Sequence, residues 1–342
     1  MASDTPDATD SASVSDKKRR LERAQLKRRI VGSVGLVAIL YLAYRSIRLL
    51  EFELADFVRR LPDWIDFVSA FLSPDFVDFT LYTKNNGIEG LRGLWVSLTN
   101  PQYLLDSTAA IGYGNVLVAA AVTTVVVGFL GTILGFPLAL LFGILGSERV
   151  TPFPFNFVFR GTMSTIRAVP ALIWVLIYIP VFGLSPKSAV LAITTDTIGN
   201  MGRLFTDELE EIDDGPIDAI RSTGASRPQV VIFGMLSQVS NAFIAWTLYV
   251  LEINTRIAIS LGVVGAGGLG QYIQNKIGFT TPDAYAQAAA GLVVVVLIVL
   301  TVEITSSRIR ARLRPGENGT QKSMLERLRG LFDVDRWLGT SR

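Results

Sequence analysis

The apolar residues of this chain gather in long charge-free runs divided by polar stretches. A helix crossing the roughly 30 Å hydrocarbon core needs about 20 mostly apolar residues. Six segments qualify as predicted spans. The first, Ile30 to about Ile47, is interrupted by Arg45, a side chain able to snorkel to the interface. The second lies within the uncharged stretch Ser107 to Ser147. About Met163 to Gly183 and about Pro186 to Gly202 supply the third and fourth. Val230 to Leu251 is the fifth, and Ala284 to Thr305 the sixth. The pattern predicts an all-α integral membrane helical bundle.

Composition agrees. Half of the 342 residues are hydrophobic and 18% are charged, against about 25% in soluble domains; the mean hydropathy is +0.42. The balance of 32 Lys and Arg against 30 Asp and Glu leaves a net +2, without the basic field that nucleic acid attracts. There is no Cys and no His, which excludes disulfides, thiolate nucleophiles, the usual zinc sites and the commonest general base. No metal site is expected.

Basic residues set the orientation. Lys17, Lys18, Arg19, Arg20, Arg23, Lys27, Arg28 and Arg29 precede the first span, and Arg308, Arg310, Arg312 and Arg314 follow the last. Positive flanks stay inside, and an even number of spans returns both tails to one side, so both termini are predicted to be cytoplasmic. Residues 1–29 then form a largely disordered basic tail, 30–47 the first span and 48–110 an outer segment. A membrane core follows over 111–306, and 307–342 form a cytoplasmic tail. No small-residue cleavage site follows the first apolar run, so it is not a secretory signal. The outer segment, with Asp56, Trp64, Asp66, Phe71, Asp75, Phe76, Asp78 and Trp95, is expected to form amphipathic helices at the outer surface or capping the assembly. Met324 to Trp337 reads as an amphipathic helix or a loosely packed tail. Asn318-Gly319-Thr320 matches a glycosylation acceptor on the wrong side of the membrane.

Between the fourth and fifth spans lies a polar stretch, Arg203 to Gln229. Asp213 and Asp214 precede Gly215 and Pro216, then Ile217 to Thr223, then Gly224. Acid and Pro at a start with Gly at the end are the asymmetry of a short helix. Ser226 then serves as an N-cap with Pro228 in the following first turn. The loop is built of rigid short helices, suited either to docking or to mere connection. Asp218-Ala219-Ile220, three residues, Gly224, eleven residues and Leu236 resemble the EAA loop of ABC-importer permeases. Here Asp218 stands for Glu, Ile220 for Ala, Gly234 for Ile and Ser237 for Pro.

Further motifs are similar to the phosphonate-type permease family of those importers. They are Arg167-Ala-Val-Pro170-Ala-Leu-Ile-Trp174, Ile198-Gly-Asn-Met-Gly-Arg-Leu-Phe205, Glu210-Glu-Ile-Asp-Asp-Gly-Pro216 and Ala219-Ile-Arg-Ser-Thr-Gly-Ala-Ser-Arg227. Leu251-Glu-Ile-Asn254 and Leu261-Gly-Val-Val-Gly-Ala-Gly-Gly-Leu-Gly270 continue the series, in family order, over about 115–305. The resemblance implies the type I ABC importer permease (MetI-like) fold and a transport subunit, not an enzyme. Two permease copies, identical or closely related, would form the path for phosphonate or a related phosphorus oxyanion. Two cytoplasmic ATPases would bind ATP and Mg and grip the loop at Gly215, Pro216, Asp218, Ala219, Arg221, Gly224 and Ala225. An external binding protein would deliver the cargo. No G-x-x-x-x-G-K-[ST] phosphate loop occurs in this chain, which is expected to hold no cofactor.

Ionisable residues at membrane depth face a cavity or a partner. Asp196 in the fourth span and Glu252 at the end of the fifth, with Asn254 and Arg256 beside it, are candidate path residues. For Asp196 a path role and a buried packing role stand equal; for Glu252 an ion pair with Arg256 is the plainer reading. Gly265, Gly267 and Gly270 fit G-x-G-x-x-G, but no strand precedes them and the next acid is Asp283, which is wrong for a dinucleotide site. Together with Gly268 they read as a close-packed turn or as gating glycines. Gly128, Gly131 and Gly135 predict tight helix packing, and Pro137 a kink. Two other classes compete. A membrane-embedded enzyme would need a charged constellation at one membrane face, built without His or Cys from carboxylates, Ser or Lys. Of the two intramembrane Asp that an aspartyl protease needs, only Asp196 is clear. An ion-coupled secondary transporter would show internal repeats and more spans.

Overall fold

The computed structural model describes residues 8–50, 54–109, 115–279 and 281–313. The amphipathic stretch at 324–337 and the Asn318 acceptor lie outside them. All regular elements among the described residues are helical. The chain divides into Met1–Ile65 and Asp66–Arg342.

The first unit carries α1 (Ala8–Leu49) and most of α2 (Leu54–Leu72). Helix α1 starts well before the predicted Ile30 and replaces the expected disordered tail from Ala8 onward. The reason is propensity: Lys17 to Arg29 are nearly all Lys, Arg, Leu, Glu, Ala and Gln, which favour helix despite their charge. Its segment Gln25–Leu49 is long and apolar enough to span. Within its unit every side chain from 25 to 50 is exposed, as for a helix whose surroundings are lipid.

The second unit begins within α2. Three short helices, α3 (Leu81–Asn85), α4 (Gly90–Thr99) and α5 (Pro101–Thr108), lead to α6 (Leu117–Gly146). Then come α7 (Phe155–Ala168), α8 (Ala171–Phe182), α9 (Pro186–Glu210) and the loop helices α10 (Asp214–Ser222) and α11 (Arg227–Gln229). A π-helical turn, Val230–Leu236, runs into α12 (Ser237–Leu261); a second one, Gly262–Ala266, precedes α13 (Gly268–Ile277), and α14 (Pro282–Leu313) follows.

Two predicted spans take unexpected forms. The third is broken: α7 and α8 meet at 90°. Pro170 has no amide hydrogen and forces its predecessor out of helical geometry, and Val169 is extended (φ −101°, ψ 115°). The fourth, α9, fails as a continuous apolar run although its 25 residues are long enough. Its polar side chains Ser188, Thr194, Asp196, Thr197 and Thr206 are buried, and α6, α7, α8 and α12 pack around it. A helix wrapped by protein need not present apolar side chains to lipid. Helices α6, α12 with its π-helical flanks, and α14 qualify outright. With α1, the α7–α8 pair and α9, the count of about six holds. Helix α6 continues through Pro137 without a break.

The three largest apolar clusters of this unit are as follows. One joins Met201, Phe205 and Leu209 of α9 to Ile217 of α10 and to Met235 and Phe243. A middle one joins Val127, Val175, Ile193 and Leu261. The third seats Phe76 and Phe79 on Leu269, Tyr272 and Ala290. Phe76 and Phe79 thus tie their segment to α13 and α14 by apolar contact.

Candidate functional site

Helix α10 is two-sided. Ile217 is buried and Ile220 half-buried against the cluster of Phe205 and Phe243, while Gly215, Pro216, Asp218, Ala219, Arg221 and Gly224 are exposed and Ala225 is half-buried. Arg221 Nη1 lies 3.3 Å from Asp218 Oδ1 along the outer face. The helix ends at Thr223, and Gly224 reverses the chain with φ +79° while its amide donates to the Arg221 carbonyl at 3.0 Å. That left-handed geometry costs any residue with a Cβ about 1 kcal/mol or more. The Ser226 amide donates to Gln229 Oε1 at 2.8 Å, which starts α11 where the Ser and Pro pattern predicted.

The loop has a rigid mount. Arg149, on the turn between α6 and α7, pairs with Asp214 at 2.7 Å. Arg160 of α7 binds Glu210 at the end of α9 and donates through Nε to the Gly146 carbonyl at 2.7 Å. Trp246 of α12 donates to Glu208 at 2.7 Å. A cleft of about 830 Å³ opens beside α10, between Glu148, Arg149 and Pro152 on one side and Arg221, Arg227 and Met235 on the other. Among the described residues no three acidic side chains converge to hold a metal.

Deep in the bundle, Asn254 joins three helices. Its Nδ2 donates to Thr132 Oγ1 of α6 at 2.9 Å and to Thr197 Oγ1 of α9 at 2.8 Å, all three buried. Asp196 lies one residue from Thr197 but belongs to a separate chain of contacts: Arg167 Nε donates to Asn200 Oδ1 (3.2 Å), and Asn200 Nδ2 to Asp196 Oδ2 (2.9 Å). Glu252 and Arg256 pair at 2.5 Å. Sequence reasoning missed the other half of this cluster: Arg310 of α14 reaches Glu252 at 3.7 Å, and Glu303 reaches Arg256 at 3.6 Å. Arg310 had counted only as a topology charge, and Arg167 only as part of a motif.

The four glycines sit together where α12 turns into α13. Gly265, Gly267 and Gly268 have φ of +95°, +97° and +74°. Around them stand Leu184 of the α8–α9 turn, Pro186 at the start of α9 and Thr124 of α6, whose Oγ1 accepts from the Leu269 amide at 2.9 Å. The segment is a packed junction with a π-helix before it.

Beside it, an ionic cluster holds the 78–84 segment, a cap on α13. Asp78, 4% exposed, takes Lys276 at 2.5 Å and Lys84 at 3.3 Å, and accepts from the Tyr272 hydroxyl at 3.3 Å. Burial, and next the Asp78 charge, push the Tyr272 phenol far above its ordinary range, so it acts as a donor. No local pattern marks Asp78 for this role.

Comparison with known proteins then adds to the geometry. Residues 135–315 match the family "Binding-protein-dependent transport system inner membrane component". The putative phosphite transport system permease protein HtxC of Stutzerimonas stutzeri is 32% identical over 65% of this chain and 76% of its own length. The phosphate-import permease protein PhnE of Mycolicibacterium smegmatis is 34% identical over 58% of this chain, which spans only 37% of that protein. In fold, the chain is similar to the inward-facing MetNI methionine ABC transporter, with a TM-score of 0.52 and 24% identity over 58% of this chain and 95% of that one.

Proposed function

The chain belongs to the binding-protein-dependent transport system inner membrane component family, and from that premise we propose how it is coupled, what it carries and where its parts lie. It is a multi-pass membrane permease, a non-enzymatic subunit of an ABC importer. Its cargo, on our reading, is phosphite, phosphate or a phosphonate, as the names of its relatives suggest. We place both tails and the 203–229 loop in the cytoplasm, following the basic flanks. A second permease, identical or closely related, completes the path. ATP and Mg belong to the ATPase that docks on the loop, and an external binding protein delivers the cargo.

The observation that carries this reading is the two-sidedness of α10. Its outer face, Asp218, Ala219 and Arg221, is free for the ATPase. Its inner face, Ile217 and Ile220, is set in the apolar cluster shared with α9 and α12. Closure of the ATPase pair would push α10, and the buried face would pass that motion to Phe205 on α9 and Phe243 on α12, whose rings stack with centroids 4.1 Å apart. Asn254 and Asp196 would keep the helices in register while they move.

Co-purification with the ATPase tests it. A Cβ at Gly224 meets no atom within 4 Å, so Gly224→Val strains only the local turn. Together with Ala219→Arg on the exposed face, it is expected to cut ATPase recovery about tenfold or more, the equivalent of about 1.4 kcal/mol, with the permease still folded. Undiminished recovery in both variants, or cargo movement by the purified chain without any ATPase, would favour a secondary transporter.

A further inference from the structure

Helix α7 is fastened to α9 along its length, with the partners met in reverse order on the two helices. At the loop end Arg160 binds Glu210, the last residue of α9. Next, Met163 is fully buried, and a Cβ at Gly202 would stand 2.7 Å from its sulfur. At the far end Arg167 Nε donates to Asn200 Oδ1 at 3.2 Å, and a Cβ at Gly199 would stand 2.8 Å from Ile166. Helices packed with so little clearance move as one body, because a close-packed contact has no room to slide.

The Arg160 tie is the one beside the loop. Glu210 lies four residues before Asp214, where α10 begins. The same guanidinium donates through Nε to the Gly146 carbonyl at 2.7 Å, a group that the end of α6 leaves without a helical partner. The Glu148 amide donates to Glu210 Oε1 at 3.1 Å, and the Glu148 carboxylate lies 3.8 Å from Arg160 Nη1. Arg160 thus gathers the ends of α6 and α9 at the point where the loop leaves them. A guanidinium suits that task, since its planar fork donates in several fixed directions at once.

The other end of α7 is built to bend. Val169 is extended and Pro170 has no amide hydrogen, so α8 departs at 90°. Across this break Trp174 Nε1 reaches the Ile166 carbonyl at 3.4 Å, longer than the usual range for such a bond. We propose that Arg160 is the positioning residue that couples the broken span to the loop. Displacement of α10 shifts Glu210, Arg160 carries α7 along with α9, and the change of angle is taken up at Val169 and Pro170. This inference rests on the coupling reading given under Proposed function and adds a second route, through α7, to the one through Phe205 and Phe243.

The test uses the assembled complex of permease, ATPase and binding protein in proteoliposomes, with phosphite and phosphate as probes. Arg160→Gln is expected to lower uptake per ATP hydrolysed about tenfold, the scale of one lost charge-assisted contact, while ATPase recovery stays at the wild-type level. Arg160→Lys, which keeps the charge and loses the fork, should fall between the two. The chain has no cysteine, so Arg160→Cys with Glu210→Cys carries its only two thiols. Joining them with a bifunctional methanethiosulfonate should restore most of the lost coupling, and capping each with a monofunctional one should not. A merely structural loss would not follow that difference. Uptake per ATP unchanged in Arg160→Gln, or not restored by the linker, overturns the α7 route alone. So does loss of ATPase recovery in Arg160→Gln, which would make it a docking residue, or failure of every Arg160 variant to assemble, which would make it a folding element. A wild-type complex that moves either anion without the ATPase overturns the coupling reading and the α7 route with it.

Discussion

A Gly270→Ala permease is expected to melt about 6–12 °C below the wild type in detergent, reflecting a loss of about 3 kcal/mol or more. The cause is backbone meeting backbone. A Cβ at position 270 would stand 1.9 Å from the Ile259 carbonyl oxygen, 2.7 Å from the Val263 nitrogen and 2.9 Å from the Gly262 carbonyl carbon. No rotamer change relieves such contacts; α12 and α13 must move apart. That shift would also displace Tyr272 and Lys276, which α13 carries to Asp78. Gly161→Ala is the control, since its Cβ meets nothing within 4 Å and Ala suits a helix better than Gly by about 0.5–1 kcal/mol. Equal melting of the two variants would contradict the close crossing. The run Gly265 to Gly270 thus resembles a nucleotide fingerprint only in its letters. Its glycines serve a helix junction, where the absent side chain is what matters.

The sequence exposed what depends on local order. Apolar runs mark the spans because lipid imposes one demand on each helix alone, so Ala284 to Thr305 was legible from its own residues. The 203–229 loop was legible for a similar reason: Pro216, Gly224 and Ser226 each act within one turn of themselves. Helix α9 was harder, because its polar Thr197 and Asp196 are tolerated only by virtue of neighbours that the linear order does not reveal. The bend at Val169 was readable in principle from Pro170, but an apolar run on both sides of the break hid it. What remained invisible was pairing at long range. Glu252 was matched with Arg256 four positions away, while Arg310 and Glu303 joined the cluster only once α12 and α14 were side by side. Asp78 and Lys276 are joined in the same way across most of the chain.

That last pair sets the second large effect. Asp78→Ala is expected to destabilise the permease by about 3 kcal/mol, the low end for breaking a buried ion pair by removing one partner. The low end applies because Lys276 and Lys84 keep 21% and 35% of their side-chain surface and can turn toward water. The asymmetry of the cluster makes the test specific. Lys276→Met leaves Asp78 with Lys84 at 3.3 Å and the Tyr272 hydroxyl at 3.3 Å, so it should cost clearly less than Asp78→Ala. Removing both should cost less than the sum of the two, because the stranded charge is gone. Thermal melting of the two single variants and the double variant, at low and high salt, checks each point. The buried core of the cluster should respond little to salt, unlike the exposed pair Arg221 and Asp218, whose attraction ionic strength screens. Additive losses would mean that Asp78 and Lys276 stabilise the cap separately. A cost below about 0.5 kcal/mol for Asp78→Ala, the ordinary range of surface changes, would mean that Phe76 and Phe79 hold the cap on α13 by apolar contact alone.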